Sequence, residues 1–202
     1  AVPPALAAQT ASDGAASGAA SLPLPPTKEP VASALNPPGQ WEFFGSHTQR
    51  DADAKLLASE LRSDCEKNGA SFWLDVKMHD LSQAAMKEGV LNSDVFLAVI
   101  TEQYFTRKFC IMELRWAREA GKAIQPVIRA EDKQRIGEFM DMAPADLKDL
   151  GKINFIHLDR GDIDYWELGT RKILNAKPPM LPPYARPCTT SPTAAQDAGA
   201  SA

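Results

Sequence analysis

One eight-residue stretch, Asp94-Val95-Phe96-Leu97-Ala98-Val99-Ile100-Thr101, constrains this chain more than any other. From Val95 to Ile100 it is apolar without interruption. A strand with one face in water alternates apolar and polar residues, whereas one covered on both faces does not. The cover must come from helices, and the neighbouring segments supply them. Asp51 to Lys67 carries Ala54, Leu57, Ala58, Leu61 and Cys65 at helical spacing,. Gly69 stands just past its end as a C′ residue,. Thr106 to Ala120, followed by Gly121, reads as another helix.

The remaining elements fall into the same rhythm. Trp41-Glu42-Phe43-Phe44-Gly45-Ser46 reads as a first strand and Ser71 to Val76 as a second. Asp80, with Gln83 three residues on, resembles a capping box and starts a helix through about Leu91,. Ala123 to Ile128 is a fourth strand, in which Pro126 argues for limited pairing near a strand end,. Lys133 to Leu150 is helical but broken near Pro144. Asn154 to Leu158 is a fifth strand. Ile163 to Leu174 closes the domain as a helix with Trp166 and Ile173 as core anchors. Five strands alternating with helices imply an α/β fold, a five-stranded parallel sheet with helices on both faces. The doubly covered strand belongs at or near its centre. Ligands of such sheets bind outside the carboxyl ends of the strands. Function is therefore expected at Ser46 to Arg50, Asp75 to Asp80 and Thr101 to Cys110.

Composition sets the limits of the domain. The chain has 202 residues and a net charge of -4, which gives no reason to expect a nucleic acid or a membrane surface as partner. No apolar run approaches the roughly 20 residues of a membrane span. Of the 16 prolines only Pro126 and Pro144 lie between Trp41 and Lys177, and all four tryptophans lie inside that interval. Residues 41–177 are thus the expected globular domain. Residues 1–40 and 178–202, rich in Ala, Pro and Ser, are expected to be disordered tails. The N-terminal tail has Lys28 as its only basic residue and no Arg, which argues against a transit peptide,. Cys65, Cys110 and Cys188 show no paired spacing and suit free thiols in a reducing, cytoplasmic setting,. His47, His79 and His157 are scattered, without HExxH or CxxC, so no metal site is expected,. No GxGxxG or GxxxxGK[ST] loop occurs,.

Glu113 breaks the pattern of its own helix. At about 100° per residue, Phe109, Trp116 and Ala120 lie on one side of it and Ala117, Cys110 and Leu114 on the other. Arg115, Arg118 and Glu119 fall on the opposite face, which is expected to be solvated. Glu113 therefore sits inside the apolar arc, and Glu is rarely buried without a partner. One explanation is a structural Glu that reaches a backbone donor or pairs with an Arg. The other is a carboxylate facing a cleft.

Several of these segments resemble one family. Phe43-Phe44-Gly45-Ser46-His47 is similar to the first-strand signature of TIR (Toll/interleukin-1 receptor) domains, F-I-S-H or F-I-S-Y. Phe72-Trp73-Leu74-Asp75 resembles the family's second strand with its terminal Asp. Asn92-Ser93-Asp94 into Val95–Thr101 resembles S-x-x-x-I-x-V-x-S. Tyr104-Phe105-Thr106-Arg107-Lys108-Phe109-Cys110-Ile111-Met112-Glu113-Leu114 resembles Y-x-x-S-x-W-C-x-x-E-L, and Ala123 to Val127 resembles I-I-P-V. The C-x-x-E-L stretch after a strand is the specific part. The resemblance implies a flavodoxin-like five-stranded parallel sheet.

It also implies two functional expectations. Some TIR domains cleave NAD+ at the nicotinamide–ribose bond, and their catalytic glutamate corresponds to Glu113. The candidate nucleotide-binding residues are then Ser46, His47, Arg50, Asp75 and Phe109, with Phe109 where the family usually has Trp. NAD+ would be substrate, not resident cofactor. Thr48 stands where some cleaving members have Arg, and Arg50 is the candidate to take its place. The loop Lys77 to Ser82 lacks the family's Gly or Pro signature. Other TIR domains act without chemistry, through homotypic assembly with further TIR domains, and self-association is expected here on the same grounds. One carboxylate suffices for NAD+ cleavage, because nicotinamide leaves as a neutral base and needs no general acid, unlike the leaving group of most glycosidases. A response-regulator receiver shares the fold but needs an Asp ending the third strand and a Lys ending the fifth. Here those strands end Ile100-Thr101 and Leu158-Asp159. A flavodoxin needs a Ser/Thr-rich phosphate loop that Ser46 and Thr48 do not supply.

Overall fold

The uninterrupted apolar strand is the middle one of five. In the computed structural model, which describes residues 34–175 together with Pro178, Met180 and Leu181, β3 (Ser93–Val99) lies between β1 (Trp41–Ser46) and β4 (Ala123–Arg129). β2 (Phe72–Trp73) and β5 (Ile156–Leu158) form the two edges, and every pairing is parallel. The helices are α1 (Ala52–Lys67), α2 (Gln83–Leu91), α3 (Lys108–Glu119), α4 (Ile136–Asp141) and α5 (Ile163–Asn175). Of the tails expected at 1–40 and 178–202, residues 1–33, 179 and 182–202 lie outside the described residues, Cys188 among them.

Strand pleating sorts the core into two layers. Phe44, Phe96, Ala98 and Ile124 point to one face, where Val90 of α2, Leu114 and Trp116 of α3 and Phe139 of α4 cover them. Phe43, Leu97, Val99 and Val127 point to the other and meet Leu57 and Leu61 of α1 and Trp166 and Ile173 of α5. Phe96 to Ile100 are all at most 1% exposed, as a strand sealed from both sides requires. Each large apolar side chain so buried is worth about 1.5–3 kcal/mol. Phe44 stacks on both Trp73 and Phe96, at ring-centre distances of 4.4 and 5.4 Å. This ties β2, β1 and β3 together through their rings as well as their backbones.

Local chemistry places the helix ends. Asp51 caps α1, its Oδ1 accepting from the Asp53 and Ala54 amides at 3.0 and 3.1 Å,. Gly69 follows α1 at φ +85°, a conformation that favours glycine,. Ser82, not Asp80, is the cap of α2, accepting from Ala85 N at 3.2 Å. Asp80 acts just before it, accepting from Ser82 N at 2.8 Å in a local turn,.

Three further details differ from the sequence expectation. β2 stops at Trp73, because Asp75 to Lys77 close a 3-10 turn with Lys77 N donating to Leu74 O. Pro126 sits in mid-strand in an interior strand, opposite Ala98. Val127 O accepts from Ile100 N, so Val127 faces β3 and the next residue back, Pro126, faces the β5 side. β5 pairs only from Val127 onward, so no ladder bond is lost there, and the Gln125 amide bonds the carbonyls of both Pro126 and Asn154 at 2.8 Å. Finally, Arg118 is buried at 6% exposure, not solvated. The 3-10 segment Ala145–Lys152 packs over α3, and Asp149 grips the guanidinium with two bonds of 2.9 and 2.7 Å.

Packing also begins before Trp41. Asn36 is 1% exposed, and the amide of Leu35 donates to the Glu88 carboxylate of α2 at 3.0 Å. Met180 forms an isolated antiparallel bridge with Ala123, beside the part of β4 that β5 does not reach.

Candidate functional site

Ser46 is the last residue of β1 and pairs with Ala98 of β3. Its hydroxyl therefore emerges at the carboxyl end of the two central strands. Tyr104 follows β3 in the 3-10 turn Tyr104–Thr106. Glu113 lies in the second turn of α3. These three side chains meet. Ser46 Oγ donates to Glu113 Oε2 at 2.7 Å and shares a 2.8 Å hydrogen bond with the Tyr104 hydroxyl. Tyr104 is 0%, Ser46 1% and Glu113 7% exposed.

No cation pairs with Glu113 among the described residues, so the Arg-paired explanation does not hold. Burial pushes its pKa up to about 8; the Ser46 hydrogen bond opposes this and the nearby Asp75 charge adds to it,. The carboxyl group thus solves its burial by keeping its proton at neutral pH. Burial likewise raises the Tyr104 phenol well above its ordinary range, so it serves as a neutral hydroxyl.

Further polar groups surround this trio. His47 is 5% exposed. Its Nε2 lies 3.9 Å from Asp75 Oδ1 and has no hydrogen-bond partner. Burial lowers its pKa, against the pull of Asp75. The neutral ring and the carboxylate are therefore neighbours and not an ion pair at neutral pH. Gln49 donates its side-chain amide to Asp75. Cys110 Sγ faces the His47 carbonyl at 3.5 Å, and burial pushes its thiol up, which suits a packing residue and not a nucleophile. Thr48 Oγ1 and Thr101 Oγ1, at the ends of β1 and β3, are buried without a partner. Unsatisfied buried polar atoms are uncommon and call for a ligand, a water or a movement to satisfy them.

The candidate residues from sequence are thus only partly gathered. Ser46, His47 and Asp75 converge with Glu113. Phe109 begins α3 one turn before Glu113 and is 52% exposed, outside the apolar arc assigned to it. Arg50 is exposed and makes no hydrogen bond or ion pair among the described residues. Tyr104 opens the motif segment that runs to Leu114, but no periodicity marks a tyrosine whose partner lies 58 positions away. No three His, Cys, Asp or Glu side chains converge on a metal-sized site among the described residues.

Open clefts also lie elsewhere. One of about 320 Å³ between α1 and α5 is lined by Glu60, Asp64, Lys67, Arg160 and Trp166. Its polar groups satisfy one another, through Arg160 to Glu60 and through Trp166 and Lys67 to Asp64. That leaves little for a ligand to bind, whereas the carboxyl edge holds unsatisfied groups.

Comparison with known proteins bears on the whole unit. The TIR domain from the Toll-related receptor TRR-2 of Hydra magnipapillata matches at 15% identity and TM-score 0.46, over 66% of this chain and 95% of its own. A metazoan TIR-STING receptor from C. gigas, solved with 2',3'-cGAMP, matches at 15% identity and TM-score 0.47, over 65% of this chain and 40% of its own. Comparison with curated proteins finds no match. No helix among the described residues is long and apolar enough to cross a membrane. The family model for the TIR domain matches residues 43–174, the stretch that contains all of the sheet but the first two residues of β1, together with the Ser46–Tyr104–Glu113 cluster, and the chain belongs to the TIR domain family of signalling modules.

Proposed function

We propose that this TIR domain cleaves NAD+ at the nicotinamide–ribose bond, with Glu113 as the catalytic carboxylate. One observation carries the reading: a buried carboxyl group at the carboxyl edge of the sheet, held by a Ser–Tyr hydroxyl chain and balanced by no cation.

The chemistry asks for a negative charge that appears when substrate arrives. Before substrate binds, Glu113 holds its proton. A pyridinium cation entering beside it favours ionisation, so binding releases a proton. The C–N bond then breaks with its electron pair leaving on nicotinamide, a neutral base. The ribosyl cation left behind is stabilised by the Glu113 carboxylate, which acts in an apolar setting where such a charge is worth most. Ser46, fixed by Tyr104, keeps one carboxylate oxygen oriented. Water or an internal nucleophile completes the reaction and gives up a proton to solvent.

Glu113 is 7% exposed, so substrate reaches it only after side chains at the edge move. That closure favours a second reading, in which the domain acts through self-association with other TIR domains and performs no chemistry. Incubating the full chain with NAD+ at high protein concentration, and measuring nicotinamide, decides between them. Release by the wild type, lost in Glu113→Gln, supports cleavage. No release at any protein concentration leaves the assembly reading.

A further inference from the structure

The loop after β2 is held from outside the sheet. Asn36 lies five residues ahead of β1, yet its side chain is buried at 1% exposure. Its Oδ1 accepts from both the His79 and Asp80 amides, at 3.1 and 2.9 Å. Its Nδ2 donates to the Asp80 carbonyl at 2.9 Å. One amide side chain thus satisfies three backbone groups of a loop that otherwise carries no strand pairing. A second tether lies beside it, from Leu35 N to the Glu88 carboxylate at 3.0 Å.

That loop bears on the candidate site. It begins with Asp75, 3.9 Å from His47, whose charge is felt by Glu113 and Cys110. Met78, immediately before the two anchored amides, packs against the core layer that contains Tyr104 and Cys110. We infer that Asn36 is a latch: the segment 34–40 pins the loop 75–82 against the site, and its release opens the way to Glu113. The inference rests on the proposed reading for what would enter, but not for the latch itself. The segment is continuous with the chain before Ala34, so a partner that draws it away would act on the site.

The test compares the full wild-type chain with Asn36→Ala, all in a Cys188→Ser background. Hydrogen exchange at His79 and Asp80 reads the latch directly. Thiol labelling of Cys110 reads opening of the site, and Cys65, buried among α1 residues on the other face, reports global unfolding. Asn36→Ala is expected to raise exchange at the two amides and labelling of Cys110 by at least about tenfold, as loss of more than one hydrogen bond should, with Cys65 unchanged. Asn36→Asp, which keeps the shared acceptor and loses the donor, should fall between. Glu88→Ala, which cuts the second tether without touching the loop, should move both signals in the same direction. Unchanged exchange or unchanged Cys110 labelling overturns the latch. So does equal acceleration of Cys65, which would mean that the whole domain loosened. Where NAD+ cleavage occurs, the Asn36→Ala chain should release nicotinamide faster. If loop and thiol signals rise while neither chain cleaves NAD+, the latch stands and the enzymatic reading fails.

Discussion

The Tyr104 and Ser46 hydroxyls lie 2.8 Å apart. When Glu113 is ionised, Ser46 Oγ spends its single proton on that carboxylate, and Tyr104 is then the donor that fixes Ser46. A neutral phenol buried at 0% exposure can do this across the whole working pH range.

Tyr104→Phe removes that donor and little else. Loss of one buried hydrogen bond should cost about 1 kcal/mol, read from a denaturant titration. The Ser46 proton is then free to rotate away from Glu113, which removes the bond that opposes the raised pKa. If NAD+ is cleaved, the pH–rate profile should move to higher pH. An unmoved profile would show that Tyr104 is only a packing ring.

Glu113→Gln has a pH signature of its own. The ordinary carboxyl value is 4.5 and burial raises it to about 8 in the folded chain. Between those values the unfolded chain binds fewer protons than the folded one, so the glutamate lowers stability as pH rises. Glutamine has no such slope. The variant should match the wild type near pH 4 and gain on it up to about pH 8, by on the order of 5 kcal/mol at most. Parallel stability curves for the two chains would mean that Glu113 is not carrying a strained proton.

Gly169 marks a close approach of α5 to β5. A Cβ there would lie 2.9 Å from the His157 carbonyl oxygen and collide with Leu158 Cδ2. A backbone oxygen in a paired strand cannot step aside. Gly169→Ala should therefore destabilise by about 1–3 kcal/mol, as measured by denaturant titration. A near-neutral result would show that α5 is free to shift along the sheet.

Two truncations isolate the contribution of the segment ahead of β1. A chain starting at Ala34 keeps Asn36 and its three bonds, and one starting at Trp41 does not. The second should melt several degrees lower, about 5 °C for each kcal/mol lost in a domain of this size. Equal midpoints would place Asn36 in contacts that add nothing to stability.

What could be read from sequence depended on whether the signal was local. The core-strand run, the helical spacing of α1 and the anomaly at Glu113 all lie within one element, and each led to the observed arrangement. The errors arose where a distant segment decided the outcome. A helical wheel gives the direction of Arg118 but not the arrival of Asp149 over it. It gives the direction of Phe109 but not that this side of the first turn of α3 goes uncovered while Cys110 beside it is buried. In sequence Pro126 reads as a strand-end residue because its missing amide costs a ladder bond wherever a strand lies on the side it faces, and only the register shows that β5 pairing begins at Val127. Asn36 sits in a stretch without apolar spacing, and a side chain that pairs with backbone 43 and 44 positions away leaves no periodic trace.

The short edges of the sheet restrict how copies of this chain can meet. β2 offers two residues and β5 three, and Met180 covers part of the neighbouring ladder. Strand addition across molecules needs a longer run of unpaired backbone than either border presents. Continuous sheets running from one molecule into the next are thus disfavoured. Any stack or ring of these domains has to be built from side chains on helices and loops, whose contacts can be undone singly, so that an assembled signal can also be taken apart.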